Sequence, residues 1–291
     1  MDSTAMDSAA MDSAVSYGAA GYGTASYGAA SYGAARDAAP GGRPERTRRF
    51  FAEPVRELAL AVYGSAPGRP VGVLQAGCLA PLHELGLGEL AQVGFEIAVS
   101  LVDVDDPLVK TVLRRTRDTY EDVIIGDLRT VPLPPRGYDV VYCGHLLERV
   151  PHMDLVLDRL VSALRPGGLL LIRATDSACA WSLLDRWLPA VARRRIWRQF
   201  YPGEPGPFPA IHESTVSERG IPAYALMRGL VIAQRSAERT LPDTPRRLAT
   251  AVRVTCTVIS RLSRGRFAST REELLYVIRK PEDRFARVVG G

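Results

Sequence analysis

Acidic and glycine residues recur at the ends of apolar runs in this sequence. Gly77 follows the run VGVLQA, Asp103 lies near the end of EIAVSLVDV, and Asp127 follows DVIIG. A glycine lets the backbone approach a ligand closely, and a carboxylate that ends a strand can accept both hydroxyls of a ribose. A second carboxylate can accept from an exocyclic amine such as that of adenine. These residue types in this order predict a site for a nucleotide-like ligand.

Two histidines are candidates for contact with a reacting group. His145 follows the run YDVVYCG, and an imidazole in that position can take a proton from a hydroxyl or an amine as it attacks. The alternative is that His145 only lines the pocket or caps the next helix. His212, in the proline-rich segment YPGEPGPFPAIH, is the second candidate, whereas His83 is expected to face solvent.

The elements that must position these residues can be read from the period of the apolar positions. Strands are predicted at residues 71–77, 96–104, 122–127, 138–144, 167–176, 230–236 and 273–280. Helices are predicted at residues 50–63, 155–164, 179–200 and 246–262, and Pro189 is expected to break the third of them. Strands that alternate with helices indicate an α/β fold with a parallel sheet. Ligands of such sheets bind beyond the carboxyl ends of the strands, where the strand order reverses.

Composition excludes several classes of protein. The chain has 291 residues, 46% of them hydrophobic and 24% charged, so it can bury a sizeable core. No run of about eighteen apolar residues and no signal peptide is found, so a cytoplasmic protein without a membrane span is expected. The four cysteines show no metal-ligand or disulfide spacing. The net charge of +5 comes from scattered arginines, which does not favour a nucleic-acid partner.

The N-terminal region differs from the rest of the chain. Residues 1–35 consist of five-residue repeats of the types MDSTA and SYGAA, which cannot close an apolar face and are therefore expected to be disordered. Residues 36–49 are predicted to be a linker, and residues 50–291 a single domain. Within that domain, residues 71–176 are expected to hold a cofactor, and residues 177–270 to supply the elements on the substrate side.

The region around the fourth strand carries a family resemblance. The run IIGDLRTVPLPPRGYDVVYCGHLLERVPHMDLVLDRLVSALRPGGLLLI contains an aspartate after the third strand, a strand that opens with Asp-Val-Val, and a helix followed by Arg-Pro-Gly-Gly. In this order the chain resembles the class I S-adenosylmethionine-dependent methyltransferases of the small-molecule type, in detail over about Val71 to Asp176. The resemblance implies a doubly wound, mostly parallel, seven-stranded Rossmann-like sheet with helices on both faces, and S-adenosylmethionine as cofactor.

The resemblance also implies the roles of individual residues. Gly77 would lie at the methionine part of the cofactor, Asp103 at the ribose, and Asp127 with Leu128 at the adenine. Cys143 to His145 would lie beside the transferring methyl group. The predicted cofactor-binding residues are therefore Gln75, Gly77, Cys78, Asp103, Asp127, Leu128 and Cys143. His145 is the predicted catalytic residue, and no metal is implied.

The first motif departs from the family's pattern. The usual acid-x-Gly-x-Gly-x-Gly reads Gln75-Ala76-Gly77-Cys78-Leu79-Ala80-Pro81 here, so the acid is replaced by its amide and two glycines are lost. If each lost contact costs on the order of 1 kcal/mol, cofactor affinity falls roughly ten- to a hundredfold without being abolished.

Two functions are compatible with these motifs. The first is methyl transfer to an O or N atom of a small molecule by direct in-line displacement. The second is a non-catalytic binding or regulatory module with the same fold. A dehydrogenase fits poorly because GxGxxG is absent, and a base methyltransferase fits poorly because the turn after the fourth strand is Cys143-Gly144-His145-Leu146. The acceptor and the oligomeric state do not follow from the sequence.

Overall fold

A single sheet of seven strands organises the chain, in the order β3-β2-β1-β4-β5-β7-β6. The strands are β1 Val71–Ala76, β2 Ile97–Asp103, β3 Asp122–Ile125, β4 Tyr138–Gly144, β5 Leu164–Thr175, β6 Val231–Thr240 and β7 Arg271–Arg279. The first five strands are parallel, and β7 runs antiparallel to both β5 and β6. The order reverses between β1 and β4, which pair directly. The predicted α/β class and mostly parallel seven-stranded sheet are confirmed.

The computed structural model describes residues 43–200, 206–240, 246–264, 267–269 and 271–282. The predicted disordered repeat at residues 1–35 lies outside the described residues, as does the first half of the predicted linker. Within the described segments, no helix is both long enough and apolar enough to cross a membrane. All four cysteines are buried free thiols.

Eight α-helices accompany the strands in the described segments. They are α1 Arg43–Ser65, α2 Leu87–Gln92, α3 Pro107–Thr116, α4 Met153–Ala163, α5 Ala180–Trp187, α6 Ala190–Phe200, α7 Gly220–Met227 and α8 Arg246–Leu262. The predicted break at Pro189 is confirmed, since it separates α5 from α6. Helix α1 begins earlier than predicted, because Glu45 pairs with Arg48 and Arg49 one turn later and extends the helix into the expected linker.

Helix α3 begins with a capping signal that the spacing of apolar residues does not show. The Asp106 side chain accepts a hydrogen bond from the Leu108 backbone N–H at 2.7 Å, and Pro107 occupies the first helical position. An aspartate cap followed by proline is a typical helix start. Val109 and Val112 are buried on the inner face of the helix. The helix thereby connects the end of β2 to β3 across one face of the sheet.

Two hydrophobic clusters cover the two faces of the sheet. One contains Leu74 and Val141 from the strands together with Leu157 of α4 and Tyr224 of α7. The other contains the adjacent residues Val73 and Tyr142 together with Phe51 of α1 and Val112 of α3. Neighbouring residues of one strand point to opposite faces, and because both faces are covered, β1 and β4 are buried at every position. Helices on both faces, as predicted, therefore hold the strand ends in fixed positions.

The Asp-Val-Val and Arg-Pro-Gly-Gly motifs are joined by a buried aspartate. Asp139, at the start of β4, accepts hydrogen bonds from Arg165 at 2.8 Å, from Arg69 at 2.8 and 2.9 Å, and from the Gly72 backbone N–H at 2.9 Å. Arg-Pro-Gly-Gly lies near the start of β5, where the pairing of β4 with β5 shifts in register. These contacts therefore stabilise the sheet where β1, β4 and β5 begin, at the end opposite the predicted site.

Candidate functional site

The turn after β1 meets the end of β2 at the carboxyl edge of the sheet. Gly77 has a φ of 91°, which favours glycine, and the Cys78 N–H donates to Asp103 Oδ2 at 2.8 Å. The other Asp103 oxygen accepts from the Val104 N–H at 2.8 Å, and Asp103 is 0% exposed. The structure thus brings three of the predicted cofactor residues together. Asp103 is positioned by two backbone groups, and its carboxylate keeps further lone pairs for a ligand.

Gln75 supports this turn from inside the protein. Its Nε2 donates to the carbonyls of Gly77 at 3.0 Å and Ala80 at 2.7 Å, and its Oε1 accepts from the Tyr120 hydroxyl at 2.9 Å. An ionised carboxylate at this position could not donate either of the first two bonds. The replacement of the family's acid by an amide is therefore matched to the local structure. Contact of Gln75 with a cofactor stays a prediction.

The turns after β1 and β4 lie against each other. A Cβ on Gly144 would come within 2.1 Å of the Ala80 Cβ, so only glycine fits there. Cys143 is 0% exposed, and burial raises the pKa of both its thiol and that of Cys78. Neither sulfur has the thiolate character that a nucleophile needs. The two cysteines therefore shape the site without offering a reactive group.

Asp127 and Leu128 follow β3, whose end lies beside the end of β2. The Gly126 N–H donates to the Asp103 carbonyl at 3.1 Å, which places the end of β3 beside the end of β2. Asp127 itself is exposed and pairs with Arg129 at 2.7 Å, and this hydrogen bonding lowers its pKa to about 2. Leu128 is buried in the hydrophobic core. Recognition of adenine by these two residues stays a prediction.

His145 lies between two carboxylates. Its Nδ1 is 3.2 Å from Glu148 Oε1, and its Nε2 is 3.2 Å from Glu273 Oε1. Burial opposes the charged imidazolium, but the hydrogen bonds to Glu148 and Glu273 outweigh that penalty, and the pKa of His145 is raised. In this arrangement both ring nitrogens donate, so neither has a lone pair free for an incoming proton. The general-base role of His145 stays a prediction, and it requires one carboxylate contact to open.

A buried chain of ionisable side chains extends away from His145. Glu273 also binds Arg173 at 2.8 Å, and Arg173 in turn contacts Glu84. Glu84 accepts from the Tyr142 hydroxyl at 2.6 Å. Sequence reasoning missed this network, because its members come from a loop and three strands and look individually like surface charges. Its effect is to fix His145 and the ends of β4, β5 and β7 relative to one another.

Arg149 enters the site from the segment after β4. Its Nε donates to the His145 carbonyl at 2.9 Å, and its Nη2 lies 3.6 Å from Asp103 Oδ1. The Phe208 ring lies over the guanidinium, with its centroid 5.0 Å from the Arg149 Cζ. The sequence shows this arginine in the run HLLERV, but nothing in its spacing marks it as part of the site.

The proline-rich segment containing Phe208 is fixed over the site by backbone bonds. The N–H groups of Ile211 and His212 both donate to the Glu148 carbonyl, at 2.8 and 3.1 Å. His212 is buried, and its Nε2 lies 3.2 Å from Asp185 Oδ2. Residues 206–212 of this segment form neither helix nor strand, and contact of His212 with a substrate stays a prediction.

Unsatisfied polar atoms concentrate at this place. Among the residues that the structure describes, the buried side-chain atoms without a hydrogen-bond partner are Glu148 Oε2, Arg149 Nη1 and Nη2, His212 Nδ1 and Arg159 Nε. All but the last belong to the site around His145. Buried polar groups are normally paired, so these atoms indicate a place for a polar ligand with both acidic and basic groups. The methionine end of S-adenosylmethionine carries both, and the residues present fit it.

Comparison with known proteins identifies the domain. Residues 75–172 match the family model described as a methyltransferase domain. Over 142 residues the chain is 24% identical to the malonyl-acyl-carrier-protein O-methyltransferase of Serratia marcescens, covering 49% of this chain and 52% of that protein. The chain thus spans about half the length of the curated relative it matches.

Solved structures are similar only at low sequence identity. A S-adenosylmethionine-dependent methyltransferase from Mesorhizobium loti is 18% identical, with a TM-score of 0.42, over 77% of this chain and 99% of its own. The MccD protein is 11% identical, with a TM-score of 0.45, over 84% of this chain and 99% of its own. At these scores the family assignment depends on the matched domain, whose limits enclose the glycine turn, Asp103 and the fourth-strand motifs. Residues 75–172 of this chain therefore form a methyltransferase domain.

Proposed function

We propose that this protein transfers a methyl group from S-adenosylmethionine to an O or N atom of a small molecule by direct in-line displacement. The observation that carries the proposal is the contact of the Gly77-Cys78 turn with Asp103 inside the matched domain. A tight glycine turn beside a fixed carboxylate suits a ligand that has a ribose close to a charged tail.

The chain's own residues would act mainly by positioning. When bound, the cofactor supplies a methyl group activated by its sulfonium. Asp103 would accept the ribose hydroxyls, while the segment around Phe208 and His212 would exclude water and hold the acceptor in line with the methyl. In-line displacement would form the new bond to O or N as the carbon–sulfur bond breaks. The acceptor's proton would leave to solvent, or to His145 only after one of its carboxylate contacts opens and the ring becomes neutral. No covalent enzyme intermediate is required, which agrees with the protonated state of the buried cysteines.

The acceptor is proposed to be an oxygen in the first instance. The curated relative is named as an O-methyltransferase that acts on malonyl-acyl-carrier protein. Transfer of a labelled methyl group from S-adenosylmethionine to a panel of carboxylic acids, alcohols and amines would test this. Label on carboxylates or alcohols is expected, and label only on amines would contradict the choice of oxygen.

A non-catalytic binding module is the second candidate. The N–H groups of Gly77 and Cys78 are already bonded to Val102 and Asp103, and the following turn carries Leu79 and Pro81. Compared with a turn of three glycines, this turn therefore lacks the N–H of position 81 and carries an added side chain at Leu79. A protein that binds S-adenosylhomocysteine and transfers no methyl to any acceptor of the panel would favour this second function.

Calorimetry with S-adenosylhomocysteine tests the cofactor assignment directly. We expect binding by the parent protein, and at least a tenfold weaker Kd for Asp103→Asn, which keeps the size of the side chain but loses its charge. Asp105→Ala, which changes an exposed carboxylate paired with Lys110, is the matched control and should bind like the parent. Absence of binding by the parent at millimolar ligand would reject the methyltransferase function.

A further inference from the structure

Arg149 is a buried cation whose ion pair with Asp103, at 3.6 Å, is too long for a hydrogen bond. It is 7% exposed, and among the described residues only its Nε makes a hydrogen bond, to the His145 carbonyl. Within the described part of the chain, Nη1 and Nη2 have no hydrogen-bond acceptor, although Asp103 Oδ1 lies 3.6 Å from Nη2. A buried guanidinium in this state is costly, and a bidentate carboxylate is the group that satisfies it best.

The position of the guanidinium indicates which carboxylate it would bind. Arg149 Nη2 lies 3.3 Å from where a Cβ on Gly77 would be, so it faces the turn expected at the methionine part of the cofactor. The N–H groups of Gly77 and Cys78 in this turn cannot take over that role. The Gly77 N–H donates to Val102 at 2.9 Å and the Cys78 N–H to Asp103 at 2.8 Å. A ligand carboxylate at this turn therefore needs a donor from elsewhere, and Arg149 provides one.

Asp103 does not satisfy the hydrogen-bonding capacity of this guanidinium. The distance of 3.6 Å between Asp103 Oδ1 and Arg149 Nη2 allows an ion pair but is too long for a hydrogen bond. The Phe208 ring also lies over the guanidinium, with its centroid 5.0 Å from Cζ, and Arg149 is only 7% exposed. In this low-dielectric position a charged hydrogen bond to a ligand is strengthened.

We infer that Arg149 binds the α-carboxylate of the cofactor's methionine moiety and compensates for the N–H that Pro81 removes from the first glycine motif. The inference depends on the proposed function, since it assigns a residue of the same cofactor site. It makes Arg149 a determinant of the distinction between a cofactor with an amino-acid tail and one without.

Two ligands separate this role from other roles of Arg149. S-adenosylhomocysteine carries the amino-acid tail, whereas 5′-methylthioadenosine lacks it but keeps the adenine, ribose and sulfur. For Arg149→Gln, calorimetry should give a Kd for S-adenosylhomocysteine that is about 10- to 100-fold weaker than that of the parent. The Kd for 5′-methylthioadenosine should stay within about twofold. Arg228→Gln, which breaks an exposed pair with Asp158, is the matched control and should change neither value.

Each other result overturns the inference. Equal weakening for both ligands would show that Arg149 only maintains the fold or the ribose site. Tighter binding of both would show that it is a counter-ion of Asp103 that the ligand must displace. No change in either Kd, together with a raised KM for an acidic acceptor, would assign Arg149 to the substrate. If the parent binds neither ligand, the proposed function itself fails, which is a separate outcome.

A second measurement keeps the test valid if Arg149→Gln does not fold. The parent protein is titrated with the carboxamide analogue of S-adenosylhomocysteine, in which an uncharged amide replaces the carboxylate of the tail and the ammonium group is kept. A Kd at least tenfold weaker than that of S-adenosylhomocysteine is expected. Equal affinities for the acid and the amide would overturn the inference without any variant.

Discussion

Gln75 and His145 both have their polar side-chain atoms bonded to the protein. Their predicted roles toward a cofactor and a substrate stay predictions. The Gln75 amide donates to two carbonyls and accepts from Tyr120, while the two nitrogens of His145 each contact a carboxylate. At the scale of the residue, the chemistry of the site is thus set by which polar atoms remain without a partner.

Restoring the family's acid at position 75 should destabilise the protein. In Gln75→Glu, the carbonyls of Gly77 and Ala80 lose their donor and face a buried carboxyl group. We expect the free energy of unfolding to fall by about 2 kcal/mol, with no gain in affinity for S-adenosylhomocysteine. Urea denaturation measures the change. The exposed Gln92→Glu should stay within about 0.5 kcal/mol of the parent, and an equal effect of the two substitutions would contradict the role assigned to Gln75.

The charge on His145 should make stability depend on pH. Its pKa is raised above 6.5 in the folded protein, so its contribution is complete below about pH 6.5 and is lost as the pH rises through the raised pKa. The free energy of unfolding, measured in urea from pH 6 to pH 9, should therefore fall more steeply in the parent than in His145→Asn. Asparagine suits this position because it tolerates the φ of 53°.

The matched control for this pH dependence is the exposed His83. His83→Asn should keep the slope of the parent, because that imidazole is exposed. If His145→Asn and the parent lose stability equally between pH 6 and pH 9, the two carboxylate contacts do not hold the imidazolium in solution.

At the scale of elements, the family's motifs lie at the two opposite ends of the strands. Asp139 connects β4 to β1 and to the start of β5, on the edge away from the candidate site. The Gly77 turn and Asp103 connect β1 to β2 on the site's edge. Because strands are rigid between these edges, the first set can fix the register that positions the second.

Removing the charge of Asp139 should therefore affect stability and leave cofactor affinity unchanged. Asp139 is 3% exposed and accepts from two arginines and one backbone N–H. Asp139→Asn should lower the free energy of unfolding by about 3 kcal/mol, because two partly buried cations lose their anion. The control Asp158→Asn breaks a more exposed pair with Arg228 and should cost less than about 1 kcal/mol. A large loss of affinity in a folded Asp139→Asn protein would contradict this division of the two edges.

For the molecule as a whole, the inner part of the candidate site, around Asp103 and Arg149, is buried. Asp103 and Cys143 are 0% exposed, and the segment containing Phe208 lies over Arg149. A groove between α1 and α2 is open to solvent, but it is lined by Glu45, Arg48, Ala52 and Glu89 and includes none of the predicted site residues. Entry of a cofactor therefore requires movement of the covering segment.

This burial should limit the rate of binding. We expect S-adenosylhomocysteine to associate with a rate constant below about 10⁵ M⁻¹s⁻¹, and the observed rate to level off at high ligand concentration. Stopped-flow tryptophan fluorescence can follow it, because Trp197 packs edge to face on Phe208 at 6.2 Å. Phe208→Ala should raise the rate about tenfold. Association near 10⁷ M⁻¹s⁻¹ with a linear dependence on concentration would show that the site is open in solution.

The sequence alone determined the α/β class, the bounds of most strands and the order of the glycine turn and the acids. These features depend on local period and on short motifs, and a strand such as Tyr138–Gly144 is apolar at nearly every position wherever it lies. The meeting of Gly77, Cys78 and Asp103 followed as well, because the carboxyl ends of adjacent parallel strands share one edge.

Only the tertiary structure decided which charged groups are buried and which of them lack a partner. Arg173 binds Glu273 one hundred positions away, and Arg149 lies beside Asp103, so no local pattern could connect them. A charge at a strand end looks the same in sequence whether it faces water or a remote carboxylate. The free energy of burying that charge depends on the remote partner, which only the folded chain supplies.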